Sequence, residues 1–106
     1  MSAFGRLRVR GLMAIPVPGH TRGSVVFLLE DRFLFTGDSL CWSRSEEDLM
    51  AFREYTWYSW EAQKKSLARL ASFSFEWVLA GHGDRRRLPA AEMRRRLIAL
   101  VGRMGR

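Results

Sequence analysis

The stretch PVPGHTRGSVVFLLEDRFLFTGDSL, residues 16–40, settles the architecture. It contains two β-branched and aromatic runs, SVVFLL at 24–29 and RFLFT at 32–36, separated by Glu30 and Asp31. Such runs across a two-residue gap predict a hairpin, although Glu-Asp lacks the glycine that tight turns prefer. A reversal at Glu30-Asp31 pairs residues whose numbers sum to about 61, which sets Ser24 opposite Gly37. His20, four residues before the first run, and Asp38, two residues after the second, then leave the sheet at the same end.

Upstream, LMAIPV (12–17) reads as a short strand that runs into Pro18-Gly19. Downstream, the segment from Gly37 to about Tyr58 has no clear period. It is expected to be an irregular loop with a helical turn around 46–52. From Ser59 the spacing becomes helical: Trp60, Leu67, Leu70 and Ala71 share one side, and Lys64, Lys65 and Arg69 face outward. Ser59 is the expected N-cap of this helix, 59–72, and Glu61 suits its first turn. SFEWVLA (74–80) reads as a strand stopped by Gly81-His82-Gly83. Pro89 opens a last helix at about 89–102, with Met93, Leu97, Leu100 and Val101 as its apolar stripe and Arg94, Arg95 and Arg96 as its wet edge. The order of strand, hairpin, helix, strand, helix predicts an α/β class in a single domain spanning 1–106.

A length of 106 residues allows one small domain, and 47% hydrophobic with 12% aromatic content supports a packed core over disorder. No apolar run approaches the roughly 20 residues that span a bilayer. The opening MSAFGRLRVRG lacks the apolar stretch of a signal peptide, so a cytoplasmic protein without a membrane partner is expected. The single cysteine, Cys41, excludes an internal disulfide and a CxxC metal knuckle and reads as a small half-buried hydrophobe. The net charge of +7 is carried by residues 85–106, where eight arginines face Glu92 alone, while residues 1–84 hold ten basic and ten acidic side chains. That run is expected to be a solvated helix face, not a nucleic-acid surface.

Both histidines of the chain lie beside glycine directly after an apolar run, His20 in PGHTRGS and His82 in AGHGD. Glycine lets a backbone turn tightly and approach a neighbour closely. A helix over 59–72 is long enough to return the chain to the edge from which His20 and Asp38 emerge. Ligands collect at the carboxyl ends of strands in open α/β sheets. Two imidazoles and a carboxylate at one edge are ligand chemistry for zinc or another transition metal. Taken singly, each of these residues reads as well as a turn former or cap.

Together, PGHTRGS, FLFTGDSL and VLAGHGD, in that order, resemble the C-terminal half of a metallo-β-lactamase-fold hydrolase over about residues 9–84. The resemblance implies half of an αββα sandwich with one or two metal ions at the sheet edge. It implies zinc as the ion, with iron or manganese as alternatives. By position, His20 matches a ligand of the first metal, Asp38 the bridging and catalytic aspartate, and His82 a ligand of the second metal. Thr21 and Ser24 would support the first ligand, and Gly19, Gly37, Gly81 and Gly83 would shape the loops. The implied chemistry is hydrolysis of an ester, thioester or lactone by metal-activated water.

The family's other string, HxHxDH, is absent, and the chain has no third histidine from which to build it. One imidazole, His20, is left at the first position, and one imidazole, His82, with the shared Asp38 carboxylate at the second, each below the three protein ligands usual for a catalytic zinc. The isolated chain is therefore expected not to be an efficient hydrolase. Half a sandwich should also leave a sheet face uncovered, with Trp42, Trp57, Trp60, Trp77, Phe27, Phe33 and Phe35 as candidates for an apolar patch. Three origins fit, in this order. The chain is a truncated product with Met1 internal to a longer enzyme, or one piece of a split enzyme whose complementary N-terminal half carries HxHxDH, or a homodimer. A small-molecule substrate is expected once the site is completed. A non-catalytic interaction module and a nuclease-like relative using the basic C-terminal segment are the alternatives.

Overall fold

The computed structural model describes residues 7–105. The first strand, β1 (Leu7–Val9), turns at Arg10-Gly11 into β2 (Leu12–Pro16). β3 (Val25–Leu29) and β4 (Phe33–Gly37) form the expected hairpin. A second hairpin follows, β5 (Cys41–Ser43) and β6 (Asp48–Met50), and then a 3₁₀ turn at Arg53–Tyr55. Helix α1 (Trp60–Leu70), β7 (Trp77–Ala80), the two-residue β8 (Arg86–Arg87) and helix α2 (Ala90–Met104) complete the chain. The main sheet has the order β1-β2-β3-β4-β7-β8, antiparallel except for the parallel pair β4–β7.

The hairpin register differs from expectation by one residue. Leu29 pairs with Phe33 and Phe27 with Phe35, so paired numbers sum to 62 and three residues, not two, form the loop. Glu30 and Asp31 both adopt left-handed backbone, with φ of 56° and 52°. Arg32 N donates to the Leu29 carbonyl across the turn, while the Arg32 carbonyl accepts from Glu76 N and Trp77 N and so ties the loop to the start of β7. Because side chains alternate along a strand, one residue of register decides which side chains share a row.

That register sorts the sheet into two unlike faces. On one, Ile15, Val26, Leu28, Leu34 and Val78 are buried against Leu67 and Leu70 of α1 and Met93, Leu97 and Leu100 of α2. On the other, Ala14, Phe27, Phe35 and Leu79 stand in one row across four strands. Phe27 remains 44% exposed and Phe35 41%. The expected apolar patch is therefore real, but its membership changes. Phe27, Phe33, Phe35 and Trp77 lie on this open face, whereas Trp42 is buried in the core, Trp60 packs against it and Trp57 stands exposed elsewhere.

The helical turn expected around 46–52 is instead strand β6, because Leu49 pairs with Trp42 and both are buried. Ser43 Oγ accepts from Glu46 N and helps close the turn between β5 and β6 without a glycine. Ser59 caps α1 as expected, its Oγ accepting from Ala62 N. Pro89 stands one residue before α2 as the N-cap. Arg94 and Arg95 are exposed, but Arg96 is not part of a wet edge. It bonds Glu92 and Asp48, and its guanidinium lies 5.4 Å from the Trp42 ring centroid. No helix among the described residues is long and apolar enough to cross a membrane.

Candidate functional site

Three strands deliver the site. β2 and β4 are each antiparallel to β3, and β4 is parallel to β7, so all three end at the same sheet edge. His20 follows β2, Asp38 follows β4 and His82 follows β7. A bulge at Thr36 breaks the β4–β7 register, and Gly37 turns the chain with a φ of 54°. Bulges recur beside functional sites because they re-aim the next side chain. The Thr36 hydroxyl is buried and donates to the Leu40 carbonyl, which holds the bend. Gly81 N donates to the Gly37 carbonyl at 2.8 Å, bringing the Asp38 and His82 turns side by side.

Asp38 lies between the two imidazoles. His82 Nδ1 is 2.6 Å from Asp38 Oδ1, and His20 Nε2 is 3.4 Å from Asp38 Oδ2. His20 Nδ1 bonds the Tyr55 carbonyl. A carbonyl only accepts, so Nδ1 carries the proton and a neutral ring leaves its Nε2 lone pair toward Asp38. This is how an imidazole is fixed for ligation, by a hydrogen bond at its other nitrogen. The His20 ring also lies 4.7 Å from the Trp57 ring, centroid to centroid, and its side chain is only 16% exposed. The His82 side chain is 88% exposed.

The donor types suit a divalent ion, but the three side chains do not enclose one. Among the described residues no group of three His, Cys, Asp or Glu side chains is disposed to hold a metal. One oxygen of the Asp38 carboxylate is engaged with His82, which leaves Oδ2 and the imidazole Nε2 nitrogens as the free donors, fewer than a closed site needs.

Thr21 and Ser24 brace the His20 loop. Thr21 N donates to Ser24 Oγ at 2.9 Å, and the two hydroxyls lie 2.8 Å apart. Gly83 has a φ of 85°, and a Cβ there would lie 3.2 Å from Cys41 Cβ. A Cβ at Gly19 would lie 2.6 Å from Gln63 Cα, so only glycine lets this loop press onto α1. Burial, and then the charge of Asp84, push the Cys41 thiol above its ordinary range.

Sequence reasoning missed the support beneath the loops. Gln63 Nε2 donates to the Ser39 carbonyl and Ser66 Oγ to the Pro18 carbonyl, so one buried face of α1 grips both the Asp38 and the His20 loops. The signal was present: Gln63 and Ser66 interrupt an apolar stripe at helical spacing with polar side chains. The segment 50–57, read as irregular, forms one wall of a cavity of about 540 Å³ whose other wall includes His20, Asp38 and His82.

Arg86 and Arg87, after His82, are engaged, as is Arg44 of the neighbouring hairpin. Arg44 makes a two-pronged contact with Asp84, Arg87 reaches Glu76 and Arg86 lies over the Trp42 ring.

No model of a protein family matches the sequence, and no curated protein matches it. Solved structures do match. The metallo-β-lactamase from Hirschia baltica aligns over 95% of this chain and 45% of its own, at 14% identity and a TM-score of 0.65. A metallo-β-lactamase family protein from Thermus thermophilus aligns over 99% of this chain and 34% of its own, at 26% identity and a TM-score of 0.61. An archaeal metallo-β-lactamase superfamily protein from Sulfolobus tokodaii aligns over 93% of this chain and 38% of its own, at 23% identity and a TM-score of 0.56. The chain therefore has a partial metallo-β-lactamase fold and spans less than half the length of these structures.

Proposed function

We propose that this chain is the C-terminal half of a metal-dependent hydrolase site and acts on an ester, thioester or lactone once completed. The observation that carries the reading is the convergence of His20, Asp38 and His82 from three strand ends. The remaining donors come from polypeptide outside these 106 residues, carrying HxHxDH and packing on the open face that bears Phe27 and Phe35. Zinc suits two imidazoles and a carboxylate, and iron or manganese would also be accepted. A bound divalent ion would supply Lewis acidity to the substrate's carbonyl and acidity to water.

The chain's own groups have separate tasks. Tyr55 and Trp57 fix the His20 ring, which leaves Nε2 available as a donor. Asp38 accepts from His82 Nδ1 and so holds that proton in place, leaving His82 Nε2 turned to solvent. Gln63 and Ser66 keep the two loops at this separation.

The open apolar face also favours a second reading, a non-catalytic interaction module. One experiment separates the two: this chain is mixed with a segment carrying HxHxDH and assayed with zinc on a thioester and a lactone. The hydrolase reading expects turnover that falls at least about 100-fold in Asp38→Asn. A stable complex without turnover would support the interaction module instead.

A further inference from the structure

We infer that the cavity beside His20, Asp38 and His82 binds a neutral apolar acyl group and disfavours a carboxylate-bearing one. The inference rests on the hydrolase reading for the identity of the reacting bond, and on the cavity itself for the group that is bound.

The cavity of about 540 Å³ has the volume of a small-molecule site. Its apolar lining is built from Leu40, Met50, Ala51, Phe52, Tyr55 and Trp57. These residues are fixed to the site. The Trp57 ring contacts the His20 ring, Trp57 N donates to the His20 carbonyl, and Phe52 meets Tyr55 edge-on at 5.9 Å. A hydrocarbon chain lying along this wall would leave its carbonyl carbon at the Asp38 end.

Charge decides between a neutral and an anionic occupant. Among the described residues no lysine or arginine lines the cavity, and its carboxylates are those of Asp38 and Glu54. The neighbouring arginines point elsewhere: Arg44 is held by Asp84, and Arg53 lies over the Trp60 ring. A carboxylate brought in with the acyl chain would meet the like charges of Asp38 and of the exposed Glu54 and find no guanidinium or ammonium to answer it. A neutral ester or thioester meets no such opposition.

The test is binding, not turnover, and is made on this chain in EDTA, so that it is independent of any metal. Methyl hexanoate and hexanoate are titrated while NMR follows the Trp57 indole and the Met50 methyl. The expected result is that methyl hexanoate shifts both signals and that hexanoate binds at least about tenfold more weakly. Ala51→Trp, which fills the cavity, should abolish the shifts. Glu54→Lys, at an exposed position that leaves the fold intact, should raise hexanoate affinity selectively. Equal or tighter binding of hexanoate would overturn the inference, as would shifts confined to Phe27 and Phe35 on the open face. Binding as expected, with no hydrolysis after completion of the site, would sink the hydrolase reading and leave the cavity's preference standing.

Discussion

The two faces of the main sheet are made by the same strands and differ by one step along the chain. Val26, Leu28 and Leu34 are at most 1% exposed, while Val25, Phe27 and Phe35, their direct neighbours, are 39–44% exposed. Both sets are apolar, so hydrophobicity alone does not tell which face the helices cover. What differs is the company: Leu67, Leu70, Met93 and Leu97 project from α1 and α2 onto one side, and no described element covers the other. A large apolar surface left in water marks a place where something binds. The covered face supplies stability, and the open face is where we place the rest of the site.

Substitutions put that contrast to the test. Leu34→Ala empties a fully buried position and should cost about 2–5 kcal/mol, read as a lower urea midpoint. Phe35→Ala, one residue on, should cost less than about 1 kcal/mol in the lone chain, because its ring already meets water. Equal losses at 34 and 35 would mean that the open face is covered in solution.

The covered face also carries the site. Gly19→Ala drives a Cβ against the Gln63 backbone and should cost about 1–3 kcal/mol, as overpacking does, while moving the His20 ring signals. Gln63→Leu removes the donor to the Ser39 carbonyl and should cost about 1 kcal/mol. Its clearer readout is a shift of the Asp38 and Ser39 amides with those of β3 unchanged. The smallest effect concerns Cys41, whose thiol is raised by burial and by Asp84. A raised pKa means less thiolate at any pH below it, so alkylation at a pH of about 7.5 should be slower than for a cysteine in an unfolded peptide. The difference should vanish in urea.

Much of this was legible in the residues. The β3 and β4 runs, the Ser59 cap and the stripes of both helices follow from local pattern, which is why they survive in the structure. The meeting of His20, Asp38 and His82 could be read because glycine-flanked turns after apolar runs put them at strand ends. The β5–β6 hairpin was not legible. Its turn has no glycine, and its strands are defined by Trp42 and Leu49 docking into a distant core. The β3–β4 register departs by one residue from what local pattern implies: Arg32 joins Glu30 and Asp31 in the loop, and its carbonyl bonds Glu76 and Trp77, a contact far away in sequence. Thr21 and Ser24, expected around the first imidazole, bond each other, whereas the ring is held by Tyr55 and Trp57 from a segment without a clear period.

Central to the proposed function is that His20, Asp38 and His82 supply only part of a metal site. Native mass spectrometry with zinc puts it at risk, on the chain alone, on the chain with an HxHxDH-bearing segment, and on the same complex with Asp38→Ala. The expected pattern is no stoichiometric zinc on the chain alone, stoichiometric zinc in the complex, and its loss in the variant. Stoichiometric zinc on the chain alone, or full retention in Asp38→Ala, would contradict it.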